Sequence, residues 1–187
     1  MHQVDFDFIA ELEGRAQLKG YVPDPAHSNS GVTIATGFDI GQRSESDIIN
    51  LLPEHPELVD KLVPYCGLKR MDAVIALQKC PLLITREEAG VIDSSVKSQF
   101  LGQLQQRYNA ASMDVFTDLP AAMQTVIASV AFQYGDLARR CPKFWRTAVN
   151  ADSTAMINEL QNFGDRYPTR RNREANYLQK YCQMGDV

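Results

Sequence analysis

The stretch VTIATGFDIG, Val32–Gly41, decides how the rest of the chain is read. Its even positions hold Val32, Ile34, Phe38 and Ile40, and its odd positions hold Thr33, Ala35, Gly37 and Asp39. Successive side chains of a strand point to opposite faces, so this alternation predicts a short strand ending in a turn, with one core face and one small, polar face. A straight strand would separate Thr33 from Asp39 by about 20 Å, at roughly 3.3 Å per residue. For the two to serve one site the chain must bend, and Gly37 is the residue that permits it. The plainer reading also stands at this point: Gly37 and Asp39 are common turn residues and need carry no chemistry.

Outward from this segment the spacing is helical. Upstream, Phe6, Ile9, Leu12 and Ala16 predict a helix over 5–17 with Asp5 as its cap, followed by a loop over 20–30 rich in Pro, Asp, Asn and Ser. Downstream, residues 45–80 read as short helices broken by prolines. Thr85 stands three residues before Glu88, the spacing of a capping box, and starts a helix predicted to reach Tyr108. AAMQTVIASVAFQY, residues 121–134, is apolar on nearly every side, the pattern of a helix surrounded by others. Further helices are expected over 141–148, 153–163 and 168–181, the last with Pro168 in its first turn. The class expected is α+β, mainly helical and bilobed: an N-terminal lobe over about 1–84 with a small β element, a connecting helix over about 85–108, and a helical C-terminal lobe over about 109–187.

Composition narrows the function. A chain of 187 residues with 44% hydrophobic content suits one domain. Its net charge of −4 offers no general attraction to nucleic acid or acidic lipid, and neither partner is expected. No apolar run approaches the roughly 20 residues that span a bilayer, and Met1–Leu18 carries acids where a signal peptide has a basic and then an apolar stretch. Cys66, Cys80, Cys141 and Cys182 show no CxxC pairing and are read as free, buried thiols. These cysteines, with His2, His27 and His55, lack metal spacing, so neither metal nor cofactor is expected.

Glu13 draws the eye for a different reason. On a helical wheel it falls between Ile9 and Phe6, inside the apolar arc, whereas Asp7 and Glu11 fall opposite. Either it lies in a partly desolvated place that favours the neutral acid, as a general acid requires, or it snorkels to water from the helix end. Asp39 would supply the second carboxylate that glycoside hydrolysis usually needs. The cluster Arg166, Arg170, Arg171 and Arg173 reads either as solvating the last helix or as meeting a ligand carboxylate.

Five segments in order resemble the phage-type lysozymes and, more closely, the pesticin-like muramidases, over about Phe6 to Tyr181. They are the helix ending in Glu13-Gly14, SGVTIATGFDIGQ (Ser30–Gln42), LITREEAG (Leu83–Gly90), IASVAFQYG (Ile127–Gly135) and YPTRRNREANYL (Tyr167–Leu178). The resemblance implies a substrate cleft between lobes, with Glu13 as proton donor and Thr33 and Asp39 positioning and activating water. It implies that Gln133 and Tyr134 border the groove and that Arg170 or Arg171 sits near Glu13. In the phage-type enzymes the Asp precedes the Thr, whereas here a suitable Asp follows it, which keeps Asp24 as a rival to Asp39.

The reaction so implied is inverting hydrolysis of the β-1,4 bond between N-acetylmuramic acid and N-acetylglucosamine in peptidoglycan, by a monomer without a cofactor. A toxin of this kind reaches the wall or periplasm of a target bacterium by import, injection or lysis-linked release, and its producer needs an immunity protein. Two other activities remain open: a lytic transglycosylase, which needs only one Glu, and a non-catalytic peptidoglycan-binding module.

Overall fold

A computed structural model describes residues 3–14 and 16–182, with Cys182 described through its backbone alone. His2 and the Cys182 thiol, both named from the sequence, lie outside the described residues. The chain is α+β and mainly helical, with ten α-helices and one three-stranded sheet among the described residues. It divides into two compact units, one built from residues 13–99 and the other from 1–12 with 100–187.

In the unit over 13–99, β1 (Gln17–Tyr21), β2 (Thr33–Ala35) and β3 (Phe38–Asp39) form an antiparallel sheet in the order β1-β2-β3. The bend expected at Gly37 is present: β2 and β3 pair as a hairpin, with Gly37 at φ +82° and Ala35 at φ +51° in the turn. The expected small, polar face is covered at its start and open towards the turn, where Asp39 is half-buried and Gly37 exposed. Thr33 is 4% and Ala35 1% exposed, on the central strand of the sheet.

β1 itself was not foreseen. The sequence carried the first helix to Gln17 and began a loop at Gly20, but α1 (Phe6–Glu13) stops at Gly14, whose φ is +90°. Strand β1 hides from pattern reading because Gly20 is its one buried residue, which leaves no apolar alternation to detect. Gly20 is there for space: a Cβ would stand 3.0 Å from the Leu82 Cβ and 3.1 Å from Leu77 Cδ2. Hydrogen bonds from Gly20 N to Leu82 O (2.9 Å) and Ile84 N to Leu18 O (3.0 Å) tie the strand to the segment before the long helix.

The short helices α2 (Glu45–Leu51), α3 (Pro56–Leu62) and α4 (Arg70–Lys79) follow as expected, and with the sheet they bury Val32, Ile34, Ile40, Ile48, Leu62 and Ile92. Helix α5 (Arg86–Ala111) opens with the expected capping box: Glu88 N donates to Thr85 Oγ1 at 3.1 Å and Thr85 N to Glu88 Oε2 at 2.8 Å.

The other unit is helical throughout: α6 (Ala121–Tyr134), α7 (Leu137–Arg140), α8 (Pro142–Val149), α9 (Ser153–Gln161) and α10 (Pro168–Cys182), with the second half of α5. Helix α6 is buried at ten consecutive positions from Ala122 to Ala131, as its all-round apolar character requires. The sequence grouped the first helix with residues up to 84. In the structure α1 packs in this helical unit, with Asp5 N donating to Thr125 Oγ1 at 2.9 Å and Phe8 stacked on Tyr177 at 4.1 Å between ring centroids.

Candidate active site

Glu13 is the last residue of α1 and is half-buried. Gly14 explains the Glu-Gly pair. A left-handed residue ends a helix most cheaply when it has no Cβ, so Gly14 stops α1 immediately after the acid and leaves it in the terminal turn. Half-burial falls between the two readings that the helical wheel left open.

The hairpin does for Thr33 and Asp39 what a straight strand could not. They are direct cross-strand partners, an arrangement that places side chains on one face with Cα atoms about 4.5–5.5 Å apart. Asp39 is held from two sides, its Oδ1 accepting from Gly31 N at 3.1 Å and its Oδ2 from Gln42 Nε2 at 3.4 Å. Gln42 is itself fixed by donating to Asn29 O at 2.7 Å. Thr33 Oγ1 donates to Gly31 O at 3.3 Å.

This arrangement depends on two glycines. A Cβ on Gly31 would stand 2.5 Å from the Gly41 Cα, and one on Gly41 would stand 2.3 Å from the Leu68 carbonyl oxygen. The backbones therefore meet at a distance no side chain allows, and the Gly31 amide is brought under the Asp39 carboxylate.

Beside the hairpin lies a cavity of about 240 Å³, lined by Thr36 to Asp39 and by Gln42, Arg43, Asp93 and Val96. Asp93 was not singled out from the sequence. It accepts from Thr36 N at 3.1 Å and Thr36 Oγ1 at 2.7 Å, pinning the hairpin turn to α5. Nothing distinguishes it in the sequence from other polar residues of a long helix. Asp24, the rival carboxylate, is exposed in a turn at φ +41°. Its Oδ1 accepts from His27 N at 3.3 Å and contacts His27 Nδ1 at 2.9 Å.

The residues expected to border a groove meet in one polar network of the helical unit. Arg171 is 1% exposed and does not solvate the helix end. Its guanidinium donates to Asp165 Oδ2 at 2.9 Å, to Glu174 Oε2 and to Gln133 Oε1, and lies 4.7 Å from the Phe163 ring centroid. Gln133 and Tyr134 are half-buried, and their polar ends are turned to this network, Tyr134 OH donating to Asp165 Oδ2 at 2.6 Å. Arg170 donates to Glu174 Oε1 at 3.2 Å and to Ser129 O at 3.1 Å, while its flank lines a cavity of about 330 Å³ with Leu12, Arg166 and Arg173.

Glu174, fully buried, is the residue that sequence reasoning missed; its spacing after Arg170 and Arg171, i+4 and i+3 on one helix, was the available signal. Burial pushes the Asp165 carboxyl up, but the bonds from Tyr134, Tyr167 N and Arg171 outweigh it and hold it below the usual carboxylate range. Tyr134 is pushed up to about 12, by burial first and by Asp165 second.

Cys66, Cys80 and Cys141 are free, but only Cys141 is buried. Among the described residues no group of three His, Cys, Asp or Glu side chains could hold a metal, and no helix is long and apolar enough to cross a membrane.

A mainly helical chain with a small antiparallel sheet, a helix ending in Glu-Gly and a Thr/Asp hairpin has the make-up of a lysozyme-like protein. The chain belongs to the Pesticin family, described as a bacterial toxin homologue of phage lysozyme, C-term, which it matches over residues 3–153. No curated protein matches it. The matched stretch holds Glu13, Thr33, Asp39, Gln133 and Tyr134, and ends before Arg170 and Arg171.

Proposed function

We propose that the protein is a peptidoglycan N-acetylmuramidase that acts as an antibacterial toxin, cutting the β-1,4 bond between N-acetylmuramic acid and N-acetylglucosamine. Membership of a family described as toxin homologues of phage lysozyme supports the substrate class. The observation that carries the reaction type is the pairing of Asp39 with Thr33, its carboxylate fixed by Gly31 N and Gln42.

In this reading Glu13 donates its proton to the glycosidic oxygen as the bond breaks. A proton donor must carry its proton when the bond breaks, and Glu13 at the end of α1 is the acid assigned that part. Asp39 accepts a proton from water while the Thr33 hydroxyl orients it, and the water attacks the anomeric carbon from the opposite face, inverting its configuration. The mechanism requires the two carboxyls to stand roughly 6.5–9.5 Å apart so that water fits between them. Asp24, exposed and engaged in its own turn, is the weaker choice. Arg170, Arg171, Gln133 and Tyr134 act as the framework of the helical unit instead of as groups on the sugar.

A second, fixed carboxylate favours hydrolysis over transglycosylation, which uses no water. Masses of the fragments released from purified peptidoglycan separate the two: reducing N-acetylmuramic acid ends are expected, and 1,6-anhydro ends would overturn the reading in favour of a transglycosylase. An immunity protein in the producing cell follows from the toxin role, and loss of growth when the chain is directed to the periplasm checks that role.

A further inference from the structure

Within the helical unit lies a cavity of about 300 Å³ that none of the chemistry above uses. It is formed by the second half of α5, the turn from α6 into α7, and α8, with Phe100, Leu104, Leu137 and Trp145 among its lining and Arg107 in its wall. The size falls at the lower end of the roughly 300–1,000 Å³ spanned by small-molecule pockets, and an apolar lining with a few polar groups is their usual character.

Three features give the cavity a chemical preference. Leu104 and Leu137 are buried and Trp145 half-buried, so an apolar body entering it displaces water from carbon surface. Trp145 is held edge-on to Tyr108, with ring centroids 6.0 Å apart, and presents a rigid aromatic wall. Arg107 is exposed and makes no ion pair or side-chain hydrogen bond among the described residues, so its charge is available. The acid in the lining, Asp136, is exposed and caps α7, where Oδ1 accepts from Arg139 N at 3.3 Å.

We propose that this cavity is a binding site for a small amphipathic anion, a body of one or two fused rings carrying a carboxylate or sulfonate, with the rings against Leu104 and Trp145 and the charge on Arg107. It is a site separate from the one assigned to glycan cleavage and does not depend on that assignment.

Trp145 is the only tryptophan in the chain, which makes it a specific reporter. The probe is 8-anilinonaphthalene-1-sulfonate, titrated into the full chain with excitation of Trp145. Saturation at one equivalent is expected, with Trp145 quenched and probe emission sensitised by energy transfer. Arg107→Gln, at an exposed position, should weaken binding at least fivefold. Ala110→Phe, which fills the cavity from the exposed face of α5, should weaken it at least tenfold with the thermal unfolding midpoint unchanged. The uncharged N-phenyl-1-naphthylamine should bind at least fivefold more weakly than the sulfonate. Absence of saturable binding, or binding unaffected by both variants, overturns the site; equal binding of the neutral probe overturns the anion preference.

Discussion

At Gly41 a single methyl group would reach within 2.3 Å of the Leu68 carbonyl oxygen and 2.6 Å of the Gly31 Cα. Both obstacles are backbone, so neither can swing aside as a side chain would. Gly41→Ala should therefore destabilise the chain by about 1–3 kcal/mol, the usual cost of overpacking, and lower the thermal midpoint by roughly 2–12 °C. An unchanged midpoint in a calorimetric scan would show that the two backbone segments part without cost. Because the same contact sets the Gly31 amide under Asp39, wall-cleaving activity should fall in the folded variant as well. This contact is invisible in the sequence, where Gly31 and Gly41 are two glycines ten positions apart. Thr33 and Asp39 were legible as candidates and Gly37 as the place of a bend, yet their register as direct partners was not, since alternation within one strand says nothing about which residues a turn will bring face to face.

Elements were legible where one physical signal dominated. The capping box at Thr85 and the all-round apolar run of α6 each determine a helix almost unaided. Strand β1 was not legible, because its buried position is a glycine and its partners are set by tertiary pairing. The start of α10 at Pro168 was legible, but the arginines on it were left between a solvated surface and a ligand contact, and only packing shows that Arg171 turns inward to Asp165, Glu174 and Gln133. Arg171→Met should cost about 3–5 kcal/mol, because among the described residues it removes the one cation on Asp165 and one of the two on the buried Glu174, and should be read as a drop in the urea midpoint. A variant of native stability with a raised KM for wall fragments would instead return Arg171 to the substrate groove.

Across the whole molecule the titrating groups define a pH window. Tyr65, Tyr134 and Tyr177 are each pushed up from 10 to about 12, by burial first in every case, with Asp165 adding to the effect on Tyr134 and Asp5 to that on Tyr177. A raised pKa means that folding favours the protonated phenol. The associated stability is full below pH 10 and is lost as pH rises towards 12. Asp165 works in the opposite direction: its lowered pKa adds stability above the ordinary carboxylate range, and that contribution fades as pH falls below about 4. Thermal midpoints should hold through neutral pH, decline between pH 10 and 12, and decline again below 4. Phenolate absorbance should show a late-ionising group among the seven tyrosines.

The central claim is that Glu13 protonates the glycosidic bond. The most direct test compares native protein with Glu13→Gln on purified peptidoglycan, following turbidity and the masses of released fragments. The exchange keeps the shape of the side chain and removes its acid. Native protein should clear the wall and release reducing muropeptides, while the folded Gln variant should lose activity by a factor of at least about 100, as expected when a general acid is removed. Clearing by Glu13→Gln at the native rate would contradict that role.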